Sequence, residues 1–286
     1  MTLVLRKCKS DGSSRNGFKY GKVGERVTCP DWHPKLECGN GLHGLKEGNG
    51  DWSLLDGNDW LIIDADDQIV DINEHKCKFN TGVILFRGTA EELSKSEFSN
   101  KLNLNSESAY YWALNIGNHD IMINKVENFY AFKWVKYINV NDKDIMISKI
   151  NDSESAYYWA RDIGNRDIMI SKINDSEFAC YWANDIGNKD IMINKIIDSY
   201  WAFSWARNIG NKDIMISKIT NSKDAFYWSL ELGDRNIMID KINDSEYAYW
   251  WACYFGNHDI MKERITKTSW IYNWNEKFPD NRIERQ

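Results

Sequence analysis

The chain has 286 residues, 43% of them apolar and 14% aromatic, which excludes an intrinsically disordered polymer. Its formal net charge of −6 excludes a bulk nucleic-acid footprint, and no stretch approaches the 18 apolar residues of a membrane span. The opening M-T-L-V-L-R-K-C-K-S has too short an apolar run for a secretory signal, so the six cysteines are expected as reduced thiols in a cytoplasm.

Residues 1–98 carry no repeat, and the pattern predicts a small α+β domain of about five strands. Thr2–Cys8 alternates as a strand, and Ser10–Gly24 reads as a Gly/Ser-rich loop. Val27–Cys29 suits a short strand, and Pro30–Gly50 reads as irregular. Trp60–Ala65 and Gln68–Ile72 suggest a strand pair turning at Asp66-Asp67. Val83–Phe86 predicts a buried strand, and Thr89-Ala-Glu-Glu92 is a capping box that opens a helix.

Residues 99–286 are expected to form an all-α solenoid. The tryptophans Trp112, Trp134, Trp159, Trp182, Trp205, Trp228 and Trp251 recur at spacings of 22, 25, 23, 23, 23 and 23. An alanine stands three residues before each, and an Ile-Met pair follows each. This periodicity predicts seven two-helix repeats. In Asn174–Ile196, Ala179, Trp182, Ala183 and Ile186 share one helical face, with Asp175-Ser176 as N-cap. Gly187 suits a left-handed helix end, and Asn188 is expected to cap the second helix. One buried indole cannot offset the entropy of ordering some 23 residues, so copies must stack and share one apolar seam of Ala, Trp and Ile-Met columns. The second copy lacks the glycine and carries a longer loop, Ile138–Asp142. Beyond Ile265, Trp270 and Trp274 at i, i+4 predict a C-terminal capping helix ending near Pro279.

Candidate sites fall in three places. Cys29, His33, Cys38 and His43 are of zinc-ligand type, but their C-x3-H-x4-C-x4-H spacing lacks a C-x-x-C element, so no cofactor is expected. His43, in Cys38-Gly-Asn-Gly-Leu-His-Gly44, is a glycine-flanked candidate acid/base group. An enzymatic, ADP-ribosyltransferase-like reading of this loop has Glu25, Glu37 and Asp64 to call on, without a matching glutamate motif. The array offers two basic columns. One holds His119, Lys143, Arg166, Lys189, Lys212, Arg235 and His258; the other holds Lys125, Lys149, Lys172, Lys195, Lys218, Lys241 and Arg264. With Tyr111, Tyr158, Tyr181, Tyr227 and Trp250 beside them, such stripes would suit RNA or DNA. Against this, residues 106–265 hold 18 basic and 23 acidic side chains, a net of −5. Protein recognition through variable aromatics is therefore expected. Phe178, Trp201, Phe203, Tyr227 and Tyr247 are the anchors, and Lys189, Lys212 and Arg235 the polar contacts.

Gly17–Glu25 (G-F-K-Y-G-K-V-G-E), Cys29–Trp32 (C-P-D-W), Glu37–Gly44 (E-C-G-N-G-L-H-G), Asp59–Asp64 (D-W-L-I-I-D) and Phe86–Thr89 (F-R-G-T) resemble an uncharacterised N-terminal domain of phage and bacterial proteins. The most specific of these pieces is C-x-x-G-L-H-G. The tail separately resembles short helical-hairpin repeats used as interaction scaffolds. Together the resemblances imply a phage or mobile-element accessory protein that binds, and in its specific form inhibits, a host defence protein such as a CRISPR effector. They carry over no catalytic residue.

Overall fold

The computed structural model describes residues 1–14, 16–66 and 68–284. The chain forms two compact units, Met1–Asn151 and Asp152–Gln286. It consists of a mixed α/β domain followed by a series of paired helices that ends in a single helix.

The sheet of the first unit is antiparallel, in the order β2-β7-β4-β1-β3-β6-β5. The strands are β1 (Thr2–Cys8), β2 (Arg26–Thr28), β3 (Leu42–Lys46), β4 (Asp59–Ala65), β5 (Ile69–Asn73), β6 (Lys76–Phe79) and β7 (Thr81–Gly88). β4 is buried on both faces: Leu61, Ile62 and Ile63 are all closed to solvent. A central strand covered on two sides reads as a continuous apolar run, which is why D-W-L-I-I-D lacks alternation.

Two expectations change here. The irregular stretch Pro30–Gly50 contains β3, whose short L-H-G-L-K pattern is broken by Gly44. A Cβ at Gly44 would lie 2.3 Å from the Val4 side chain and 2.8 Å from the Leu5 carbonyl, so glycine permits β3 to lie against β1. Moreover, β4 and β5 do not pair. The hairpin is β5–β6, turned at Glu74-His75 by Asn73, whose side-chain oxygen accepts from His75 N–H (2.9 Å) and Lys76 N–H (3.1 Å). Asp66 donates its N–H to Thr81, and Asp67 of the expected turn lies outside the described residues. Only Asn80 separates β6 from β7, so the ends of two strands far apart in sheet order lie within about 8 Å, and the sheet must curl.

The capping box is present: Thr89 Oγ1 accepts from Glu92 N–H and Glu92 Oε2 from Thr89 N–H, opening the helix Ala90–Ser94.

In the second unit each first helix packs on the next, as Ser176–Asp185 does on Ser199–Asn208. Ala179, Trp182, Met192 and Ile196 are all closed to solvent, and so are their counterparts one period on, Ala202, Trp205, Met215 and Ile219. The seam is therefore Ala, Trp, Met and the isoleucine after the lysine. The isoleucine of each Ile-Met pair is a correction: Ile168, Ile191, Ile214, Ile237 and Ile260 are 43–51% exposed. On a short second helix, Ile and Met are 100° apart, so only one of them faces the seam.

Gly187 has φ +115° and Asn188 φ +55°, two successive left-handed residues that reverse the chain. Asn188 does not cap the second helix with its side chain. Its oxygen instead lies 3.4 Å from the Trp182 indole N–H. Asp234 does the same for Trp228 at 3.0 Å, and in the first unit Asp142 does so for Trp134 at 2.6 Å, across the glycine-free loop. A serine column completes the links. Ser176 Oγ accepts from Ile197 N–H (2.9 Å), and Ser222 Oγ from Asn243 N–H (2.8 Å), each tying one helical pair to the linker of the next.

Candidate functional site

The two basic columns of the array behave differently. In the second column five cations reach back about one period to a carbonyl at the end of a preceding helical element, and Lys149 reaches back to the Asn124 carbonyl (3.3 Å). Lys195 donates to Ile173 (2.5 Å), Lys218 to Ile196 (2.5 Å), Lys241 to Ile219 (2.6 Å) and Arg264 to Ile242 (2.7 Å); in the first unit Lys125 donates to Leu102 (2.9 Å). The last carbonyls of a helix have no internal partner and carry negative partial charge, so a cation there is a cap. These side chains are half-buried and tied to the backbone.

The first column is mixed. Lys189 and Arg166 are exposed. Lys212 Nζ donates to the Leu232 carbonyl at 2.7 Å. Arg235 lies 4.3 Å above the Phe255 ring, a cation–π contact with the following repeat. His258 packs 4.6 Å from Phe278.

The expected aromatic anchors also separate. Phe203 is 7% exposed, with its ring 6.5 Å from Trp228, so it belongs to the packing between copies. Phe178 is half-buried between Tyr157 (5.8 Å) and Tyr181 (5.7 Å). Trp201 is half-buried against Tyr181 (5.5 Å) and Tyr200 (5.1 Å). Tyr227 is exposed beside Phe226. Tyr247 packs 6.0 Å from Phe226 and, with Tyr200, walls an open cleft of about 460 Å³ over Lys223 and Asp224.

A recurring set of exposed aromatics sits one residue before the landmark tryptophan. Tyr181, Tyr227 and Trp250 are each 39–40% exposed, while Trp182, Trp228 and Trp251 beside them are closed. Tyr200 and Tyr254, at 53% and 63%, extend this face and were not singled out in the sequence. Tyr200 stands where neighbouring copies have Glu177 and Lys223, and that aromatic-for-charge exchange was the available signal.

In the first unit His43 lies on β3, paired in register with Lys78 of β6. It follows the glycine-rich turn and is part of a strand. The zinc-type residues are not brought together: Cys29 is buried with its thiol on Asp31 (3.0 Å), His33 and Cys38 are exposed, and His43 is half-buried. Among the described residues no group of three or more His, Cys, Asp or Glu side chains could hold a metal ion. Two of the acids offered to an enzymatic reading are engaged elsewhere: Glu25 accepts from Lys22 N–H (2.9 Å) and Asp64 from Thr2 N–H (3.2 Å). The third, Glu37, is exposed, and it is its backbone carbonyl that accepts from Lys78 Nζ (3.0 Å). Burial holds the His43 imidazole down at about 4, and Lys76, Arg6 and Lys78 push it the same way. Its Nε2 is buried without a hydrogen-bond partner among the described residues.

Residues 2–96 match a domain of unknown function (DUF7666). No curated protein and no solved structure matches the chain. Among the described residues no helix is long and apolar enough to cross a membrane.

Proposed function

We propose that the paired helices are a protein-binding scaffold whose contact face is the aromatic surface of the first helices in the second unit. The observation that carries this is the position of Tyr181, Tyr227 and Trp250. All three occupy one register position and are exposed, whereas the same position in the intervening copy is Ser204. The helices therefore stack without an aromatic there, and its recurrence calls for another reason. Rigid aromatics give large contact area at low entropic cost and are enriched at binding hot spots.

Nucleic acid is the weaker reading. The second basic column is occupied by backbone carbonyls, and the array carries a net of −5. In its finer form the scaffold is a seven-copy solenoid with a C-terminal cap, a reading that rests on the sequence period, while its carriage by a phage or mobile element and its direction at a host defence protein rest on the sequence resemblances alone.

The test is affinity capture with the full chain from host lysate, with and without nuclease, comparing wild type with Tyr181→Ala/Tyr227→Ala and with Lys189→Glu. A protein retained after nuclease and lost from the aromatic double variant is the expected result. Retention by the double variant, or loss on nuclease treatment, sinks the reading.

A further inference from the structure

We propose that the curled sheet of the N-terminal domain holds a binding site for a phosphorylated small molecule, built around Arg6 on β1 and Lys76 on β6, with His43 of β3 between them. This is independent of the scaffold role of the helices.

Two cavities of about 300 and 330 Å³ share Arg6, Asn16 and His43 as lining residues. Lys7 and Lys76 add positive charge to the first, and Phe18 and Tyr20 add aromatic wall to the second. Among the described residues the Arg6 guanidinium makes one hydrogen bond, from Nε to the Lys7 carbonyl at 3.4 Å, and lies 4.3 Å from the Tyr20 ring centroid. It meets no carboxylate, and burial lowers its pKa from the usual arginine range. Lys76 has no ion pair among the described residues either. Lys78, closed to solvent, donates to the Glu37 and Gly39 carbonyls, at 3.0 and 3.3 Å, and lies 5.8 Å from the Trp32 ring centroid. One acid lines each cavity: Asp56, which interacts with Lys7, in the first, and Asp31, which accepts the Cys29 thiol, in the second.

A guanidinium withdrawn from water without a counter-charge is unfavourable unless something supplies one. The sheet instead adds Lys76 and Lys78 to the same neighbourhood and leaves His43 uncharged. Such a surplus, with a planar fork of free N–H donors on Arg6, suits a compact dianion better than a single carboxylate. The paired cavities give an organic body room beside Phe18, and their size falls within the range of small-ligand sites. An anion placed there would oppose the three cations that add to burial in keeping His43 neutral.

The experiment is an NMR titration of the intact protein, following the imidazole C–H signals. The chain has five histidines, so His33, His75, His119 and His258 serve as internal references. The probes are inorganic phosphate, phenyl phosphate and benzoate, at matched ionic strength. Phenyl phosphate is expected to bind most tightly, phosphate next and benzoate least, and the bound phosphates to raise the His43 pKa by about one unit or more while the reference histidines hold. Arg6→Gln should weaken phenyl phosphate binding about tenfold or more. If Arg6→Gln does not fold, Lys76→Gln, on a half-exposed strand residue, should weaken it severalfold. A His43 signal unmoved by either phosphate overturns the proposal. So does benzoate binding as tightly as phenyl phosphate, or a folded Arg6→Gln protein with wild-type affinity.

Discussion

The curled sheet and the helical pairs treat positive charge in opposite ways. In the helical region the lysines of one column lie about a period from the carbonyls they cap, and their charge is consumed by the fold. In the sheet, Arg6 and Lys76 converge from two strands on one histidine without a paired carboxylate among the described residues. A regular basic stripe is thus a backbone device here, while an irregular basic cluster is left with capacity for a ligand. Periodicity in charge marks repeat geometry; a surplus that no helix end or acid accounts for marks chemistry.

The largest effect that would sharpen the contrast is on the seam. Trp182→Ala removes a fully closed indole and should destabilise the helical unit by about 3–5 kcal/mol in chemical denaturation. A loss under about 1 kcal/mol would mean the column packs nothing.

Acid should act on the sheet. The folded-state pKa of His43, about 4, lies below its unfolded value near 6.5, so the unfolded chain binds more protons between them. Stability should therefore fall as pH drops from about 6.5 toward 4, by at most about 3 kcal/mol from this residue. His43→Gln should flatten that slope, and an unchanged slope would show the imidazole titrating normally.

The indole N–H groups predict a smaller difference within the helical unit. Trp228 donates to Asp234 at 3.0 Å, whereas the Trp205 N–H is buried without a partner among the described residues. Trp228→Phe removes a hydrogen bond to a charged acceptor and should cost about 1–3 kcal/mol, while Trp205→Phe should cost less, because it removes an unsatisfied donor. Equal losses would show that both indoles are solvated alike.

The smallest effect compares the basic columns directly. Lys218→Met removes a cap on the Ile196 carbonyl and should cost about 1–2 kcal/mol, whereas Lys189→Met, at an exposed site, should stay within about 0.5 kcal/mol. Reversal of that order would remove the structural reading of the second column and return it to the candidate nucleic-acid contacts.

The helical pairs were legible because their information is local and repeated. Asp175, Ala179, Trp182 and Gly187 each specify a cap, a face or a turn within a few residues, and the period multiplies the signal. The same locality explains what was misread. Ile191 and Met192 are equally apolar in sequence, and only packing decides that methionine enters the seam while isoleucine stays at the surface. Phe203 and Tyr227 likewise differ by which side of their helix meets a neighbour. In the sheet the deciding contacts are long-range. β3 is short and interrupted by Gly44, and β5 pairs with β6 and not with β4. The partners of Arg6 come from segments some 40 and 70 residues away. No local pattern encodes that meeting, because strand pairing is set by burial and register across the whole sheet. The local, periodic residue pattern of the chain thus determined that it would be helical and repetitive after residue 105. Only the tertiary structure decided which lysines cap a helix and which cations stand around His43 without a paired carboxylate among the described residues.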